Sequence, residues 1–375
     1  MTIQLDEDQL PEPARSWLLS ALASDASDLH LAPGYPPYLR VHGELRSLAG
    51  QSNQTGPELD AALMALLPEN MIEQLRVDRN LDFSLQINSS CFSNRARVNL
   101  FLSGGHIGAC FRFIPGTIPD LDWAGFPGEL ARKLTQFRNG LVLLTGITGS
   151  GKSTTLAMLI NMLNQEGGFR IITVEEPVEY IFPRAANSVI TQREVGTDVS
   201  SFAEGLKYGL RQDPDVMLVG EIRDVETAQI ALSAAETGHL VFATLHTRDA
   251  KGAISRFADI FPQSVQAEIR AQLAASLRAV VCQHLLPSSL ANYKRELALE
   301  VLFNSSPIAA SIRVGKLESI DNYIMTSRAE GMIPLDESIK RLLADGRITA
   351  GTAEHFVSDR SLLRGLLAHA GSTGR

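Results

Sequence analysis

One short segment constrains this chain more than any other. Residues 146–153 read Gly-Ile-Thr-Gly-Ser-Gly-Lys-Ser and fit the pattern G-x-x-x-x-G-K-[ST] in full. The apolar run 141–145 precedes it, and four apolar residues follow with the spacing of one helix face: Leu156, Leu159, Ile160 and Leu163. A strand, a glycine loop and a helix in this order predict a loop whose backbone amides bind phosphate at a helix N-terminus.

The loop predicts a nucleoside triphosphate, ATP, and Mg²⁺ as ligands. Lys152 is expected to reach the β- and γ-phosphates, and the Ser153 hydroxyl is expected to ligate the metal. The alternative is a glycine-rich turn without a ligand, which the complete motif disfavours. The residues expected to contact the nucleotide are Gly149, Ser150, Gly151, Lys152, Ser153 and Thr154.

Length and composition indicate a soluble protein of two or three domains, since the chain has 375 residues, 45% of them apolar. The net charge of −8 disfavours a protein that depends on a basic nucleic-acid-binding surface. Three cysteines without a C-x-x-C pair predict no disulfide framework and no zinc ribbon. Residues 1–11 lack a signal-peptide core, and no apolar run approaches a membrane span. We therefore predict a cytoplasmic protein that meets membranes only through partners.

The first 114 residues predict a small α+β domain. Alternating patterns indicate helices at 13–23 and 56–67 and strands at 25–31, 38–41, 82–87, 95–101 and 108–113. Two prolines and a glycine then fall within 114–120, so we place a linker at 115–122.

Residues 123–375 predict an α/β domain. Apolar strands at 141–145, 170–175, 216–219 and 240–245 alternate with helices at 153–164, 201–210 and 225–237. This alternation indicates a parallel sheet covered on both faces. From about residue 264 onward the pattern is mostly helical.

Glu221 follows the apolar strand 216–219 at the sheet edge where α/β proteins bind ligands. A carboxylate there would align water or support the Mg²⁺ shell. The alternative is an acidic residue at the N-terminus of the next helix. The phosphate loop favours the functional interpretation.

Glu175 and Glu176 end another predicted parallel strand. Adjacent carboxylates repel each other unless a cation or a proton intervenes, and a Mg²⁺–nucleotide would supply that cation. A solvated acidic turn explains the pair equally well from spacing alone.

His239 and His246 flank the strand 240–245. A histidine at a strand end is more often structural than catalytic, and two histidines do not form a metal site.

Arginines are candidates to complete the site, because nucleoside triphosphatases often take a cation from another segment or subunit. Arg95 and Arg97 alternate along one strand and share a face, and Arg112 lies near the end of the next strand. A solvated sheet face is the alternative. Arg223 is expected to brace Glu221 or Asp224.

Four segments in order resemble the Walker A, Asp box, Walker B and His box of the type II/IV secretion ATPase superfamily: 146–154, 173–179, 213–224 and 238–247. Segments 26–31 and 38–43 resemble the PAS-like N-terminal domain of its type IV pilus retraction branch, the PilT/PilU branch. The resemblance covers nearly the whole chain.

The resemblance implies a hexameric RecA-like ATPase motor with a PAS-like N-terminal domain. It assigns Glu221 as the catalytic glutamate, Glu175 to the Asp box, and His239 and His246 to the His box. It also implies that N-terminal arginines complete the nucleotide site. The expected partners are further copies of this chain, a pilus inner-membrane platform protein and a paralogous ATPase, and the expected location is the cytoplasmic side of the pilus base.

Two features favour retraction over assembly or secretion: about 115 residues precede the linker, and no four-cysteine insert occurs. Three positions depart from the family pattern, namely Ile147, Glu176 and the segment 307–316, which retains only fragments of the retraction signature. An assembly or type II secretion motor and a weakly active PilU-like accessory subunit remain alternatives. A nucleic-acid translocase and a GTPase are disfavoured.

Overall fold

The structure, a computed structural model, describes residues 2–41, 43–88, 93–114, 116–290 and 295–359. The chain divides into two compact units, one ending at Thr117 and the other beginning at Ile118. This boundary falls within the predicted linker 115–122. Each unit has its own hydrophobic core.

The N-terminal unit is a mixed α/β unit built on one sheet. Its helices are α1 Ala14–Ala23, α2 Gly56–Met64 and α3 Glu69–Asp78. Its strands are β1 Thr2–Asp6, β2 Asp28–Leu31, β3 Tyr38–Val41, β4 Glu44–Ser47, β5 Asn80–Asn88, β6 Ser93–Ser103 and β7 His106–Ile114. The strand order is β1-β5-β6-β7-β2-β3-β4, and all neighbours are antiparallel except β1 and β5.

Side chains on β6 alternate between the buried and the opposite face of the sheet. Ala96 and Val98 are buried on β6, whereas Arg95 and Arg97 occupy its opposite face. Strands β1 and β4 and helix α3 escaped the sequence analysis.

The second unit alternates helices and strands. Its helices are α4 Leu121–Ala124, α5 Gly128–Thr135, α6 Lys152–Glu166, α7 Phe202–Gly209, α8 Val225–Glu236, α9 Ala250–Asp259, α10 Gln266–Ser276, α11 Ser306–Val314, α12 Ile320–Thr326, α13 Leu335–Ala344 and α14 Ala350–Phe356. Its strands are β8 Gly140–Thr145, β9 Arg170–Glu175, β10 Val189–Glu194, β11 Val216–Val219, β12 Leu240–Leu245, β13 Leu277–Pro287 and β14 Arg295–Phe303.

These strands form one sheet in the order β10-β9-β11-β12-β8-β13-β14. All neighbouring pairs are parallel except β13 and β14, which are antiparallel. The four predicted strands are confirmed as β8, β9, β11 and β12, and every residue of β8, β11 and β12 is buried. The predicted α/β class is therefore confirmed, with β8 leading directly into the phosphate loop.

The prediction of a mostly helical chain from about residue 264 onward is wrong for β13 and β14. These strands extend the sheet beyond β8. Short apolar runs satisfy both helical and strand patterns, and only pairing with β8 decides between them. Helices do follow β14, and α13 and α14 share a small core with the two strands through residues such as Leu286, Ala298 and Ile339.

Among the residues that the structure describes, no helix is both long and apolar enough to cross a bilayer.

Candidate active site

The phosphate loop joins the end of β8 to the start of α6. Gly146, Gly149 and Gly151 have φ values of 143°, 79° and 89°, a range that residues with a Cβ rarely adopt. The Ser150 amide donates to the Ile147 carbonyl at 3.1 Å, which closes the turn. Because Gly151 is the N-cap of α6, the amides at the start of this helix remain available to an anion.

Gly146 is the most constrained glycine of the loop. A Cβ placed there would lie 2.4 Å from Ser150 Oγ and 2.5 Å from the Gln283 carbonyl oxygen. We expect Gly146→Ala to lower the melting temperature by about 2–12 °C, because overpacking costs about 1–3 kcal/mol and the backbone is strained as well. Gly168→Ala is the matched control, since its φ is 83° but nothing lies within 4 Å. Equal melting temperatures for the two variants would refute this account.

Lys152 lies buried in the first turn of α6. Its Nζ donates to the carbonyl oxygens of Gly146 at 2.8 Å and Ile147 at 3.2 Å, and lies 3.5 Å from His246 Nδ1. Burial lowers the pKa of Lys152, while the carboxylates of Glu221 and Glu179 oppose the shift. The ammonium is therefore held at the loop, close to side chains from other strands.

The neighbouring hydroxyls differ in their surroundings. Thr154 Oγ1 lies 3.0 Å from Tyr180 Oη, so this side chain is engaged with the segment after β9. Ser153 is partly exposed in the first helical turn. A hydroxyl at this position is suited to ligate a metal that also binds phosphate.

Glu221 and His246 meet beside the loop, just beyond β11 and β12. Glu221 Oε1 lies 3.2 Å from His246 Nε2, and Glu221 Oε2 lies 2.6 Å from Arg223 Nη2. Because Nδ1 of His246 faces the Lys152 ammonium, which has only donors, Nδ1 acts as acceptor and Nε2 carries the proton. The result is a continuous chain of contacts from Lys152 through His246 to Glu221.

The environment of Glu221 favours its ionised form. Burial alone would raise its pKa, but the hydrogen bonds from Arg223 and His246 and the charge of Arg223 outweigh burial and hold the pKa below its usual value. Helix capping does not explain Glu221, because Asp224 is the N-cap of α8 and accepts the Thr227 amide at 2.8 Å. The structure thus favours the functional interpretation of Glu221.

Arg223 links two of the acidic segments. Besides Glu221, it donates through Nη1 to Glu176 Oε2 at 3.1 Å. The expected contact of Arg223 with Glu221 is thus observed, whereas Asp224 instead caps α8.

Glu175 ends β9 and is held by its neighbours. Its Oε1 accepts from Thr173 Oγ1 at 2.6 Å and from Gln192 Nε2 at 3.4 Å. Burial raises the pKa of Glu175 to about 7 despite these hydrogen bonds. Glu175 and Glu221 therefore differ in protonation near neutral pH, which the sequence pattern did not predict.

Gln192 on β10 was missed by the sequence analysis as a site residue. Its side chain also donates to the Tyr180 carbonyl at 2.8 Å and accepts from the Phe182 amide at 3.0 Å. It therefore ties Glu175 to the segment that contacts Thr154. No local signal marks this role, because β10 joins β9 only through sheet pairing.

His239 lies apart from this cluster, although the resemblance assigned it to the His box together with His246. It precedes β12, whereas the loop and Glu221 lie at the opposite edge of the sheet. Seven residues of extended chain separate the two histidines by about 23 Å. His239 Nδ1 instead lies 3.0 Å from the Ala234 carbonyl oxygen at the end of α8.

Arg95 and Arg97 share a face of β6, as predicted. Arg95 Nη2 donates to Ser84 Oγ at 2.9 Å, and Arg97 Nε lies 3.9 Å from Asp82 Oδ1. Their predicted role at the nucleotide remains a proposal.

Arg112 on β7 lies directly opposite Asp28 on β2. Arg112 Nε donates to Asp28 Oδ1 at 2.9 Å, and the carboxylate also accepts from Ser27 Oγ at 2.8 Å. The Asp28 side chain is 6% exposed, whereas that of Arg112 is 70% exposed. The buried carboxylate thus orients an exposed guanidinium.

The groups around the phosphate loop fit a nucleoside triphosphate with Mg²⁺. Glycines at the start of a helix, an ammonium and a serine hydroxyl converge at one edge of a parallel sheet, next to an ionised carboxylate. Mg²⁺ is commonly held by one or two protein oxygens together with substrate phosphates, which suits Ser153. Fold and site together define a P-loop nucleoside triphosphatase.

The family can be stated more closely. A match to the family described as Type II/IV secretion system protein covers residues 4–314, and the chain belongs to this family.

Relatives of this chain are similar over most of their length. The type IV pilus retraction ATPase PilT of Pseudomonas aeruginosa is 39% identical over 88% of this chain and 93% of its own. The uncharacterised protein YggR of Escherichia coli K12 is 38% identical over 86% of this chain and 96% of its own. A crystal structure of the pilus retraction motor PilT with bound ADP matches with a TM-score of 0.81 and 36% identity, covering 92% of this chain and 97% of that one. The predicted resemblance to the retraction branch is thereby confirmed.

Proposed function

We propose that this protein is a motor that couples Mg·ATP hydrolysis to retraction of a type IV pilus. The sequence prediction of a pilus-retraction ATPase is confirmed by the family and by the similarity to PilT. The observation that carries the site chemistry is the contact chain from Lys152 through His246 to Glu221.

The side chains divide the work of phosphoryl transfer. The loop amides and Lys152 bind the β- and γ-phosphates, and Ser153 would hold Mg²⁺, which would neutralise charge on those phosphates when bound. Glu221, kept ionised, accepts a hydrogen bond from the attacking water, aligns it and takes up its proton as a general base. His246 holds Glu221 by one ring nitrogen and contacts Lys152 by the other, so it orients the carboxylate relative to the phosphates.

The remaining assignments extend to the assembly. We propose that the protein works as a cytoplasmic homohexamer in which Arg95, Arg97 and Arg112 supply positive charge to the nucleotide. The motion would act on an inner-membrane platform protein, and a paralogous ATPase is a further proposed partner. Nucleic acid is not a proposed partner, since the net charge is −8.

A deletion experiment tests the direction of work. Loss of a retraction motor leaves cells hyperpiliated, because subunits are added but not removed. Electron microscopy of deletion cells carrying the wild-type or the Glu221→Gln gene measures this outcome. Cells without pili would instead indicate an assembly or secretion motor.

The oligomeric state is tested separately. The molecular mass of the purified protein is measured by size-exclusion chromatography with and without a non-hydrolysable ATP analogue, and a hexamer should elute at six times the mass of one chain.

One observation favours a second candidate, a weakly active accessory subunit. Residues 307–316, most of which form α11, retain only fragments of the retraction signature. The ATPase rate of the purified protein alone separates the two candidates. An active motor turns over without a paralogue, whereas an accessory subunit gains activity only when the paralogue is added.

The raised pKa of Glu175 gives a proton-release prediction. Glu175 is largely protonated below about pH 7, and a nearby Mg²⁺–nucleotide would favour its charged form. We expect Mg·ATP binding at pH 6–6.5 to release up to about one proton, seen as a dependence of the calorimetric enthalpy on the buffer. Glu175→Gln should lose this release.

Glu300 provides the control for this measurement. Burial also raises its pKa to about 7, but Glu300 lies on β14 and its Oε1 accepts the Ala250 amide at 2.6 Å, at the start of α9. Glu300→Gln should retain the proton release. An equal release in wild type and Glu175→Gln would contradict the placement of Glu175 near the bound cation.

The raised pKa of Glu175 also makes the free energy of unfolding depend on pH. Because the folded-state pKa of Glu175 lies above its unfolded value of 4.5, its contribution to the free energy of unfolding is present below pH 4.5 and is lost as the pH rises through about 7. Glu175→Gln should remove this part of the pH dependence of stability.

A further inference from the structure

Strand β8, which carries the phosphate loop, has different neighbours on its two sides. On one side lie β12, β11 and β9, whose ends supply His246, Glu221 and Glu175. On the other side lie β13 and β14, in register such that Cys282 pairs with Thr145. The histidine and the carboxylates that meet beside the loop thus come from the first side.

The β13–β14 side contacts the loop directly. Arg295, the first residue of β14, donates through Nη1 to the Gly149 carbonyl at 3.4 Å, and its side chain is exposed. Leu285 on β13 lies next to Gly151, with its Cδ1 3.7 Å from where a Cβ of that glycine would be. A cation and an apolar side chain therefore flank the loop opposite Glu221.

The path of a bound nucleotide follows from this asymmetry. Its terminal phosphate must lie beside Glu221, because that carboxylate aligns the attacking water. A triphosphate bound in this way would run across the loop, and its nucleoside end would leave toward β13 and β14. The side chains that border this exit are Leu285 and Arg295.

We propose that Arg295 binds the nucleoside part of ATP, with its planar guanidinium packed on the face of the base while Nη1 remains on the Gly149 carbonyl. The proposal rests on the proposed ATPase function. Arginine suits this role, since its guanidinium stacks on aromatic rings and attracts their π-faces. Apolar Leu285 adds a surface on which a base, but not a phosphate, would pack.

The opposite face of β14 fixes the position of Arg295. Side chains alternate along a strand, and the next residue, Glu296, is 1% exposed. Glu296 pairs with Arg347 Nη2 at 2.5 Å and accepts from Ser288 Oγ at 3.1 Å. The start of β14 is thereby anchored to the segment between α13 and α14, so Arg295 is presented from a fixed backbone.

Binding of three ligands to Arg295→Ala tests the proposal. ATP and ADP share the nucleoside, whereas inorganic tripolyphosphate has only the phosphates. We expect the Kd of ATP and of ADP to rise by about 3–30-fold, as for a cation–π contact, and that of tripolyphosphate to change less than about twofold. In steady-state kinetics KM for ATP should rise while kcat stays within about twofold.

Two further variants complete the test. Arg295→Lys retains the charge but not the planar group, so its affinity for ATP should also fall, with tripolyphosphate again unaffected. Arg341→Ala removes an exposed arginine on α13 whose Nε lies 4.0 Å from Asp345, and it should bind all three ligands as wild type does. Melting temperatures confirm that each variant is folded.

The outcomes are distinct. Equal weakening of ATP and tripolyphosphate in Arg295→Ala would overturn the proposal, because the side chain would then act on the phosphates or the loop. Unchanged ATP affinity would overturn it as well. If wild-type protein neither bound nor hydrolysed ATP, the proposed function itself would fail, and this result is separable from both.

Discussion

Lys152→Ala is expected to abolish measurable ATP hydrolysis and to weaken ATP binding by about 10²–10⁴-fold. The ammonium would make two charge-assisted hydrogen bonds, to the β- and γ-phosphates, each contributing about 1.5–3 kcal/mol. In the structure Lys152 Nζ is held at the loop by the Gly146 and Ile147 carbonyls, so little rearrangement is needed to reach a phosphate. Titration calorimetry and a phosphate-release assay measure the two effects.

Lys251→Ala is the matched control for the lysine. Lys251 lies on α9 and pairs with Asp321 at 2.6 Å on the surface. Exposed pairs of this kind contribute about 0–1 kcal/mol, so stability and ATPase activity should remain near wild type. ATP affinity retained in full by Lys152→Ala would show that the loop does not bind the terminal phosphates.

Glu221→Gln is expected to lower turnover by about 10²–10⁴-fold, as for loss of a general base, while ATP binding is retained. The amide keeps the size of the side chain but cannot accept a proton from water. Glu221→Ala should give the same result, since the phosphates are bound by the loop and Lys152. Because the pKa of wild-type Glu221 is held low, its ionisation adds no pH dependence to turnover near neutrality.

Single-turnover hydrolysis and ATP titration of the same Glu221→Gln sample separate chemistry from binding. Glu226→Gln is the matched control, because Glu226 is an exposed residue in the first turn of α8. It should hydrolyse ATP at the wild-type rate. Wild-type turnover in Glu221→Gln would remove Glu221 from the proposed mechanism.

Local patterns predicted the parts of the site that are continuous in sequence. The glycine loop, the apolar strands β8, β9, β11 and β12, and the carboxylates at two of their ends follow from motif and periodicity. The order of strands in the sheet then brings Glu221 to His246, as expected for carboxyl ends of parallel strands.

Features that depend on distant pairing were not predicted. Strands β13 and β14 were read as helical, so Arg295 and its contact with Gly149 were missed. The contact of Gln192 with Glu175 likewise follows from the pairing of β10 with β9 rather than from spacing. The raised pKa of Glu175 depends on burial, which a sequence pattern does not measure.

Strand β1 has a practical consequence for purified samples. It pairs in parallel with β5 from Thr2 and Ser84 to Asp6 and Asn88, and so covers one border of the N-terminal sheet. A fusion tag or truncation that displaces these residues would leave the nine-residue strand β5 with unpaired backbone groups, which invite pairing with another molecule. Oligomers measured on amino-terminally altered protein would then report aggregation rather than ring formation.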